Sequence, residues 1–218
     1  MDVCVFEMVG PAGSGKSTIA KQLTADLTCS GYRVGYVTPT EISTLSVLLS
    51  FVPVSYAIAW RGLRLITDMR NKKIFFVLRK IFAGFCALYI AQRELSNYDI
   101  VILDEGPFQK IHTISHSISE KQKGQLLNFV YSNRLIRSSR WIPVYVQCSD
   151  IIRYKRRVDR GDYDRRDFLP PSTAQIEIEM MQDYGVLPVK LVGTLIIVSG
   201  ESYDTSDAKK KILDAICP

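Results

Sequence analysis

The stretch that decides the fold lies near the amino terminus, where residues 2–18 read DVCVFEMVGPAGSGKST. Its first half, residues 2–9, is a near-continuous apolar run typical of a strand buried on both faces. Residues 10–17 then match the spacing G-x-x-x-x-G-K-[ST], and a helical stretch over 16–29 follows. Glycines allow a tight turn whose backbone N–H groups point at phosphate oxygens, and the helix N-terminus adds partial positive charge. The stretch therefore predicts a strand, a phosphate-binding loop and a helix in succession.

The side chains at the end of this loop have expected roles toward a nucleoside triphosphate. Lys16 is expected to bridge the β- and γ-phosphates, and Ser17 to offer its hydroxyl to Mg²⁺. ATP and Mg²⁺ are therefore the predicted cofactors. The nucleotide-binding candidates in the loop are Gly10, Ala12, Gly13, Ser14, Gly15, Lys16, Ser17 and Thr18.

Four further apolar runs, short and rich in Val, Ile and Tyr, predict four more strands. They lie at residues 33–38, 98–104, 141–147 and 194–199. Helical stretches separate the strands along the chain. Besides 16–29, they are predicted at 74–96, at 118–136 behind a Ser117–Glu120 capping box, at 173–184, and at 207–216 behind Ser206. Strands that alternate with helices imply right-handed crossovers and a parallel sheet with helices on both faces.

Two adjacent acids follow the third predicted strand, where residues 98–107 read YDIVILDEGP. A carboxylate at this strand end faces the Mg²⁺ of a phosphate loop, so Asp104 is predicted to bind the metal directly or through water. Glu105 is a candidate general base for an acceptor hydroxyl or a water, and a substrate-binding role for it stays open. A solvated acid that begins a turn is the alternative.

Five strands are the number in the minimal sheet of nucleotide kinases, in which the acid-bearing strand lies beside the phosphate-loop strand. Motor-like ATPases insert an additional strand between these two. We therefore predict an α/β protein with a P-loop NTPase fold, a three-layer α/β/α sandwich with a five-stranded parallel sheet in the order 2-3-1-4-5. A single domain is predicted to span residues 1–218. Residues 42–96 are too long for one crossover and predict a helical insertion on the acceptor side of the sheet's carboxyl edge.

An arginine-rich segment follows the fourth strand, where residues 148–168 read CSDIIRYKRRVDRGDYDRRDF. Residues 153–170 are predicted to form a lid. Arginines clamp a transferring phosphoryl group or stack on adenine, so at least one is expected to contact ATP or the transition state. The sequence does not rank them: Arg153 is a candidate for nucleotide binding, and Arg157 and Arg160 are candidates for catalysis. A solvated helix with internal ion pairs is the alternative.

The net charge of +6 is concentrated in one window. Residues 61–80 contain seven basic groups and one acid, so the remaining chain is neutral overall. A generally basic nucleic-acid-binding protein would distribute its charge differently, and the window holds no recognisable nucleic-acid motif. No nucleic-acid partner is therefore expected, and the excess charge points to the second substrate or to a surface on which that substrate lies.

An uncharged run precedes this window, where residues 42–60 read ISTLSVLLSFVPVSYAIAW. The run is long enough to span a membrane, but it holds Pro53 and lies between two parts of one nucleotide fold. A buried helix or helical pair is favoured, and contact of residues 42–80 with an anionic membrane surface or a true span are the alternatives. Five scattered cysteines and the absence of a signal peptide predict a cytoplasmic location, with peripheral membrane binding left open.

Together these features resemble the P-loop small-molecule kinases, and among them the thymidylate kinase-like group. The resemblance rests on residues 10–18, on Asp104, on the R-x-x-R-R-x-x-R spacing from Arg153 to Arg160, and on the sheet pattern. It covers essentially the whole chain. It implies ATP- and Mg²⁺-dependent phosphoryl transfer, with the loop around Gly200 near adenine.

The chain departs from that family at the acceptor side. Residues 38–41, TPTE, stand where thymidylate kinases carry Thr-Arg-Glu-Pro, so Thr40 and Glu41 are candidate substrate ligands. Pro39 replaces the family's arginine, and Glu105 replaces a second arginine that follows the aspartate. In the family these arginines hold the acceptor's phosphate, which an acid would repel. A neutral hydroxyl acceptor therefore fits better, although Arg70 of the basic window is a candidate replacement.

The predicted function is phosphoryl transfer to a small-molecule acceptor, which is a nucleoside, a nucleotide, a sugar or a lipid-linked alcohol. An ATPase or switch protein in which Glu105 activates water is one alternative. A membrane-surface kinase of a lipid-linked substrate is another. A homodimer through the exposed side of helix 74–96 or 118–136 is left open.

Overall fold

The computed structural model describes residues 4–38, 97–114, 119–132, 140–160, 196–201 and 205–216. In these ranges five strands and five helices follow one another along the chain. The strands are β1 (Cys4–Val9), β2 (Val34–Val37), β3 (Ile100–Leu103), β4 (Arg140–Gln147) and β5 (Ile196–Ser199). The helices are α1 (Lys16–Cys29), α2 (Pro107–Ile114), α3 (Glu120–Ser132), α4 (Asp150–Asp159) and α5 (Ser206–Ile216).

The five strands form one parallel sheet in the order β2-β3-β1-β4-β5. Cys4 of β1 lies opposite Ile100 of β3 on one side and Arg140 of β4 on the other. The predicted P-loop α/β fold and its strand order are therefore confirmed. Because β3 pairs directly with β1, the residues that follow these two strands lie at the same edge of the sheet.

Burial along the strands follows their position in the sheet. Every residue of β1 and β3 is buried, as expected of inner strands of a parallel sheet with both faces covered. In β5, at one end of the order, buried and exposed residues alternate, and Ile197 is 46% exposed. The sequence pattern predicted near-continuous burial for all five strands, which holds for the inner strands and not for the outer two.

One face of the sheet is covered by α1 and α5. Ile19, Leu23 and Leu27 recur every four residues on α1 and are almost fully buried, in one apolar cluster with Phe6 of β1 and Ile212 of α5. Burying each such side chain stabilises the fold by about 1.5–3 kcal/mol. This packing fixes the start of α1 at the carboxyl end of β1, where the phosphate loop connects them.

Helix α3 begins with a capping box two residues later than the sequence pattern predicted. The backbone N–H of Gln122 donates to Ser119 Oγ (3.3 Å), and the N–H of Ser119 donates to Gln122 Oε1 (2.9 Å). This reciprocal pair satisfies two backbone donors at the helix start. Glutamine serves at the third helical position as glutamate does, so Ser119–Gln122 caps the helix instead of Ser117–Glu120.

Several predictions fall outside the described residues and stay predictions. They are the helical insertion at 42–96, the uncharged run at 42–60, the helix at 173–184 and the lid beyond residue 160. Within the described ranges, no helix is both long and apolar enough to cross a membrane.

Candidate nucleotide site

The loop between β1 and α1 lies at the carboxyl edge of the sheet. Gly15 occupies the N-cap position of α1, and the helix continues from Lys16. The backbone N–H of Ser14 turns back to donate to the Pro11 carbonyl (3.3 Å), and the N–H of Ile19 donates to the Gly15 carbonyl (3.0 Å). The loop thus curls over the start of α1, whose N-terminal partial charge favours an anion there.

Lys16 is buried at this helix start. Its ammonium donates hydrogen bonds to the carbonyl oxygens of Gly10 (2.7 Å) and Pro11 (2.8 Å). Burial lowers the pKa of Lys16 to about 8, and the nearby carboxylates of Glu105 and Asp104 oppose this shift. The lysine is therefore a buried cation inside the loop, close to both acids that follow β3.

Asp104 follows β3 directly and is almost fully buried. Its Oδ2 accepts a hydrogen bond from the Tyr36 hydroxyl (3.1 Å). Its Oδ1 and the Ser14 hydroxyl are buried atoms that have no hydrogen-bond partner within the described part of the chain. A carboxylate oxygen and a hydroxyl that lack partners, with an ammonium near the carboxylate, form a donor set that suits a metal-bound phosphate.

Glu105 differs from Asp104 in its exposure and its partner. Its side chain is 42% exposed and forms an ion pair with Lys110 of α2, whose own side chain is almost fully buried. The ion pair places the Glu105 carboxylate in one position relative to α2. The sequence pattern singled out Glu105 but not Lys110, because the interaction joins a strand end to the following helix.

The arginines of α4 contact the loops at the sheet edge through main-chain carbonyls. Arg153 Nε donates to the Ala12 carbonyl (3.2 Å). Arg156 donates from Nη1 to the Gly200 carbonyl (2.7 Å) and from Nη2 to the Glu201 carbonyl (3.0 Å). Its Nη1 also lies 3.4 Å from the carbonyl oxygens of Gly13 and Ser14. Arg156 thus joins the phosphate loop to the loop after β5.

Two other arginines of this segment were predicted to be catalytic, and they differ in position. Arg157 is buried, and its side chain packs beside Gly13 of the phosphate loop. Arg160 is exposed at the end of α4 and donates from Nε to the Arg156 carbonyl (3.0 Å). The described contacts therefore bring Arg157 to the loop and leave Arg160 at the helix end. The sequence pattern missed the bridging role of Arg156, because all four arginines share one helical spacing.

Gly200 brings the loop after β5 against the phosphate loop. A Cβ atom at this position would lie 2.0 Å from the Ser14 carbonyl oxygen and 2.9 Å from Val146 Cγ1. Only a residue without a side chain permits this approach. Its backbone N–H donates to the Gln147 carbonyl (2.6 Å), which holds the loop close to the end of β4.

A buried acid in β1 was not among the predicted site residues. Glu7 has no exposed surface, and burial raises its pKa to about 8, although hydrogen bonds from Gln109, Trp141 and Phe108 oppose that rise. The only sequence signal for it is an acid in the middle of a buried apolar strand. Its partner Gln109 accepts a hydrogen bond from the backbone N–H of Gly10 (2.9 Å), the first residue of the phosphate loop.

Apart from Glu105 and Arg160, whose positions are given above, the predicted site residues fall into three groups in the structure. The first group lies at the carboxyl edge of the sheet and comprises Gly10, Ala12, Gly13, Ser14, Gly15, Lys16, Asp104, Arg153, Arg157 and Gly200. Ser17 and Thr18 are exposed in the first turn of α1. Thr40, Glu41 and Arg70 lie outside the described residues. Among the described residues, no group of three or more His, Cys, Asp or Glu side chains is placed to hold a metal ion by itself.

No family model and no curated protein matches this sequence. Among solved structures, the chain is similar to a deoxyadenosine kinase from M. mycoides with bound dCTP. The two are 16% identical, with a TM-score of 0.49, and the alignment covers 98% of each chain.

Proposed function

We propose that this protein is a kinase that transfers the γ-phosphoryl group of ATP, with Mg²⁺, to a small-molecule acceptor. The observation that carries the proposal is the position of Asp104. The strand before Asp104 pairs directly with β1, so the buried Oδ1 of Asp104, which has no hydrogen-bond partner among the described residues, lies at the same sheet edge as the phosphate loop. An acid there is suited to hold the Mg²⁺ that accompanies a triphosphate.

The residues of the site have separate tasks in this proposal. ATP with Mg²⁺, when bound, supplies the phosphoryl group and neutralises part of its charge. The loop N–H groups and Lys16 would hold the phosphates, and Ser17 and Asp104 would hold the metal. Arg153 and Arg157, both against the loop, add positive charge where the transferring group carries negative charge.

Glu105 is the proposed group on the acceptor side. Its carboxylate is partly exposed and held by Lys110, so it can orient an acceptor hydroxyl and accept its proton. Taking up that proton would weaken its ion pair with Lys110. Since phosphoryl transfer depends mainly on positioning and charge, orienting the hydroxyl is the larger contribution expected of Glu105.

Direct pairing of β1 with β3 supports a kinase over a motor-like ATPase, because such ATPases insert a strand between the two. The acceptor class is a nucleoside, nucleotide, sugar or lipid-linked alcohol, with the nucleoside and sugar classes favoured by the acid at position 105. Thr40, Glu41 and Arg70 remain proposed acceptor ligands, and residues 153–170 remain a proposed lid.

The likeness to thymidylate kinases, the anionic membrane surface at 42–80, the homodimer and the cytoplasmic location also remain proposals. Flotation with anionic vesicles tests the membrane surface: binding should require anionic lipid and decrease with salt. Flotation that does not depend on vesicle composition would contradict the proposed membrane surface.

The test of the kinase is a transfer assay with γ-labelled ATP, Mg²⁺ and panels of nucleosides, nucleotides, sugars and lipid alcohols. We expect label in one acceptor class, lost in Lys16→Met and retained in Lys21→Met, a matched change on the exposed side of α1. ATP hydrolysis that does not depend on any acceptor and is lost in Glu105→Gln indicates the ATPase instead. No transfer and no hydrolysis contradicts both.

A further inference from the structure

Glu7 lies in β1, three residues before the phosphate loop, and is fully buried. Side chains alternate along a strand, so Glu7 is on the opposite face of the sheet from Phe6 and Met8. On that face it meets the start of α2. A buried acid is retained only where hydrogen-bond donors compensate for the loss of water, and α2 supplies such donors.

The carboxyl group of Glu7 caps α2 from a different element. Its Oε1 accepts a hydrogen bond from the backbone N–H of Gln109 (2.9 Å), and the N–H of Phe108 also donates to the carboxyl group. Its Oε2 accepts a hydrogen bond from Trp141 Nε1 of β4 (3.1 Å). The first N–H groups of a helix have no partner within the helix, so an acid at this place satisfies them.

The turn between β3 and α2 passes directly over this carboxylate. A Cβ atom on Gly106 would lie 2.4 Å from the Glu7 side-chain carboxyl carbon. The turn carries Asp104 and Glu105, so the buried acid also sets the path of the chain that presents both of them.

Gln109 connects this cap to the phosphate loop. Its side chain is almost fully buried, and its Oε1 accepts the hydrogen bond from the backbone N–H of Gly10 (2.9 Å). Gly10 is itself buried, so its N–H would have no access to water if the glutamine were removed. Glu7 therefore fixes the backbone of Gln109, and the side chain of Gln109 fixes Gly10, the first residue of the loop.

We propose that Glu7 and Gln109 are positioning residues that hold Gly10, and with it the phosphate loop, in the arrangement that binds nucleotide. The inference rests on the proposed function, because it concerns the nucleotide site. Neither residue is expected to contact the nucleotide. A purely structural role is the competing explanation, in which both residues stabilise the fold and leave the loop's affinity unchanged.

Three single variants separate these explanations. Gln109→Leu removes the acceptor for the Gly10 N–H but keeps side-chain size and the backbone cap. Glu7→Gln replaces one carboxyl oxygen with an amide NH₂ group, which cannot accept a hydrogen bond from the backbone of α2 or from Trp141 Nε1. Trp141→Phe is the matched control, because it removes a hydrogen bond to Glu7 while leaving the link from Gln109 to Gly10 in place.

Each variant is measured for thermal unfolding, for exchange of the Gly10 amide hydrogen by NMR, and for the Kd of a non-hydrolysable ATP analogue with Mg²⁺. We expect Gln109→Leu to speed Gly10 exchange and to raise the Kd, each about tenfold. Glu7→Gln should move both in the same direction, and the double variant should bind no more weakly than the weaker single. Trp141→Phe should lower the unfolding temperature and change neither the Gly10 exchange rate nor the Kd.

A Gln109→Leu protein with wild-type exchange and wild-type Kd overturns the inference, and so does a Trp141→Phe protein that loses affinity equally. If Glu7→Gln does not fold, Gln109→Leu decides alone, since it leaves the cap intact. A wild-type protein that binds no nucleotide overturns the proposed function and the inference together. Wild-type binding with unchanged binding by Gln109→Leu overturns the inference only.

Discussion

Replacing Gly200 with alanine should distort the phosphate loop through a single added methyl group. The Cβ atom would lie 2.0 Å from the Ser14 carbonyl oxygen, which belongs to the loop backbone, and 2.9 Å from Val146 Cγ1. Gly200 does not have a positive φ angle, so alanine is compatible with its backbone conformation. Any effect of this substitution therefore comes from the contact with the loop.

The size of the effect follows from these distances. Ordinary contact begins at 3.4 Å, so the Cβ atom and the Ser14 oxygen must separate by about 1.4 Å. A backbone carbonyl cannot rotate away as the end of a flexible side chain can. Overpacking by a methyl group costs about 1–3 kcal/mol, and for a chain of this size each 1 kcal/mol lowers the Tm by about 2–4 °C. A cost of about 2 kcal/mol, in the middle of that range, corresponds to a Tm lower by about 4–8 °C.

Nucleotide affinity should fall as well, because the displaced carbonyl is adjacent to Gly15 and Lys16. If about 1.4 kcal/mol of the cost is borne by the nucleotide-binding arrangement of the loop, the Kd rises about tenfold. Calorimetric titration with a non-hydrolysable ATP analogue and Mg²⁺, together with thermal unfolding, measures both quantities.

Gly124→Ala is the matched control, because Gly124 lies within α3 and a Cβ atom there meets no atom within 4 Å. Alanine is the better helix former, so this change should stabilise the protein by up to about 1 kcal/mol and leave the Kd unchanged. Gly200→Ala with wild-type Tm and Kd would refute the close approach of the two loops.

Three further outcomes are expected. Burial raises the pKa of Glu7 from 4.5 to about 8, so its contribution to stability is full below about pH 4.5 and is lost as the pH rises through about 8. Over that range, urea denaturation should show the wild type losing up to about 5 kcal/mol of unfolding free energy relative to Glu7→Gln. A difference between the two proteins that does not change with pH would contradict the raised pKa. Gly106→Ala should lower the Tm because its Cβ would lie 2.4 Å from the Glu7 carboxyl carbon, and should cost much less in a Glu7→Ala background; equal costs in both backgrounds exclude this contact. Thr205→Val should lower the free energy of unfolding by about 1 kcal/mol through loss of its hydrogen bond to Asp26 (2.6 Å), and a double-variant cycle with Asp26→Ala that yields no coupling would contradict this.

The elements of this fold were predictable because their signals are local. The apolar strand that ends at Val9, the loop over residues 10–18 and the helix after it were read from spacing alone, and the structure confirms the strand and helix. The strand order followed from the count of strands and the acid at position 104. The start of α3 was misplaced by two residues, because Ser117 and Ser119 both stand three residues before an acid or amide.

The site was predictable only where one short motif contains it. Spacing identified Lys16 and Asp104, and the sheet order brings them to one edge. Spacing could not rank the arginines of α4, because the helix gives all four the same repeat. Packing distinguishes them: Arg156 binds the carbonyls of two loops, whereas Arg160 lies at the exposed helix end.

The sequence by itself determined the phosphate loop, the parallel α/β fold and the acid at the end of the third strand, since each depends on neighbouring residues and on a simple repeat. Tertiary structure decided the contacts of Glu7 and Gln109 and the approach of Gly200 to Ser14. These partners are about 100 residues or more apart along the chain. No local periodicity records such a contact, because it exists only once the sheet has brought distant strand ends together.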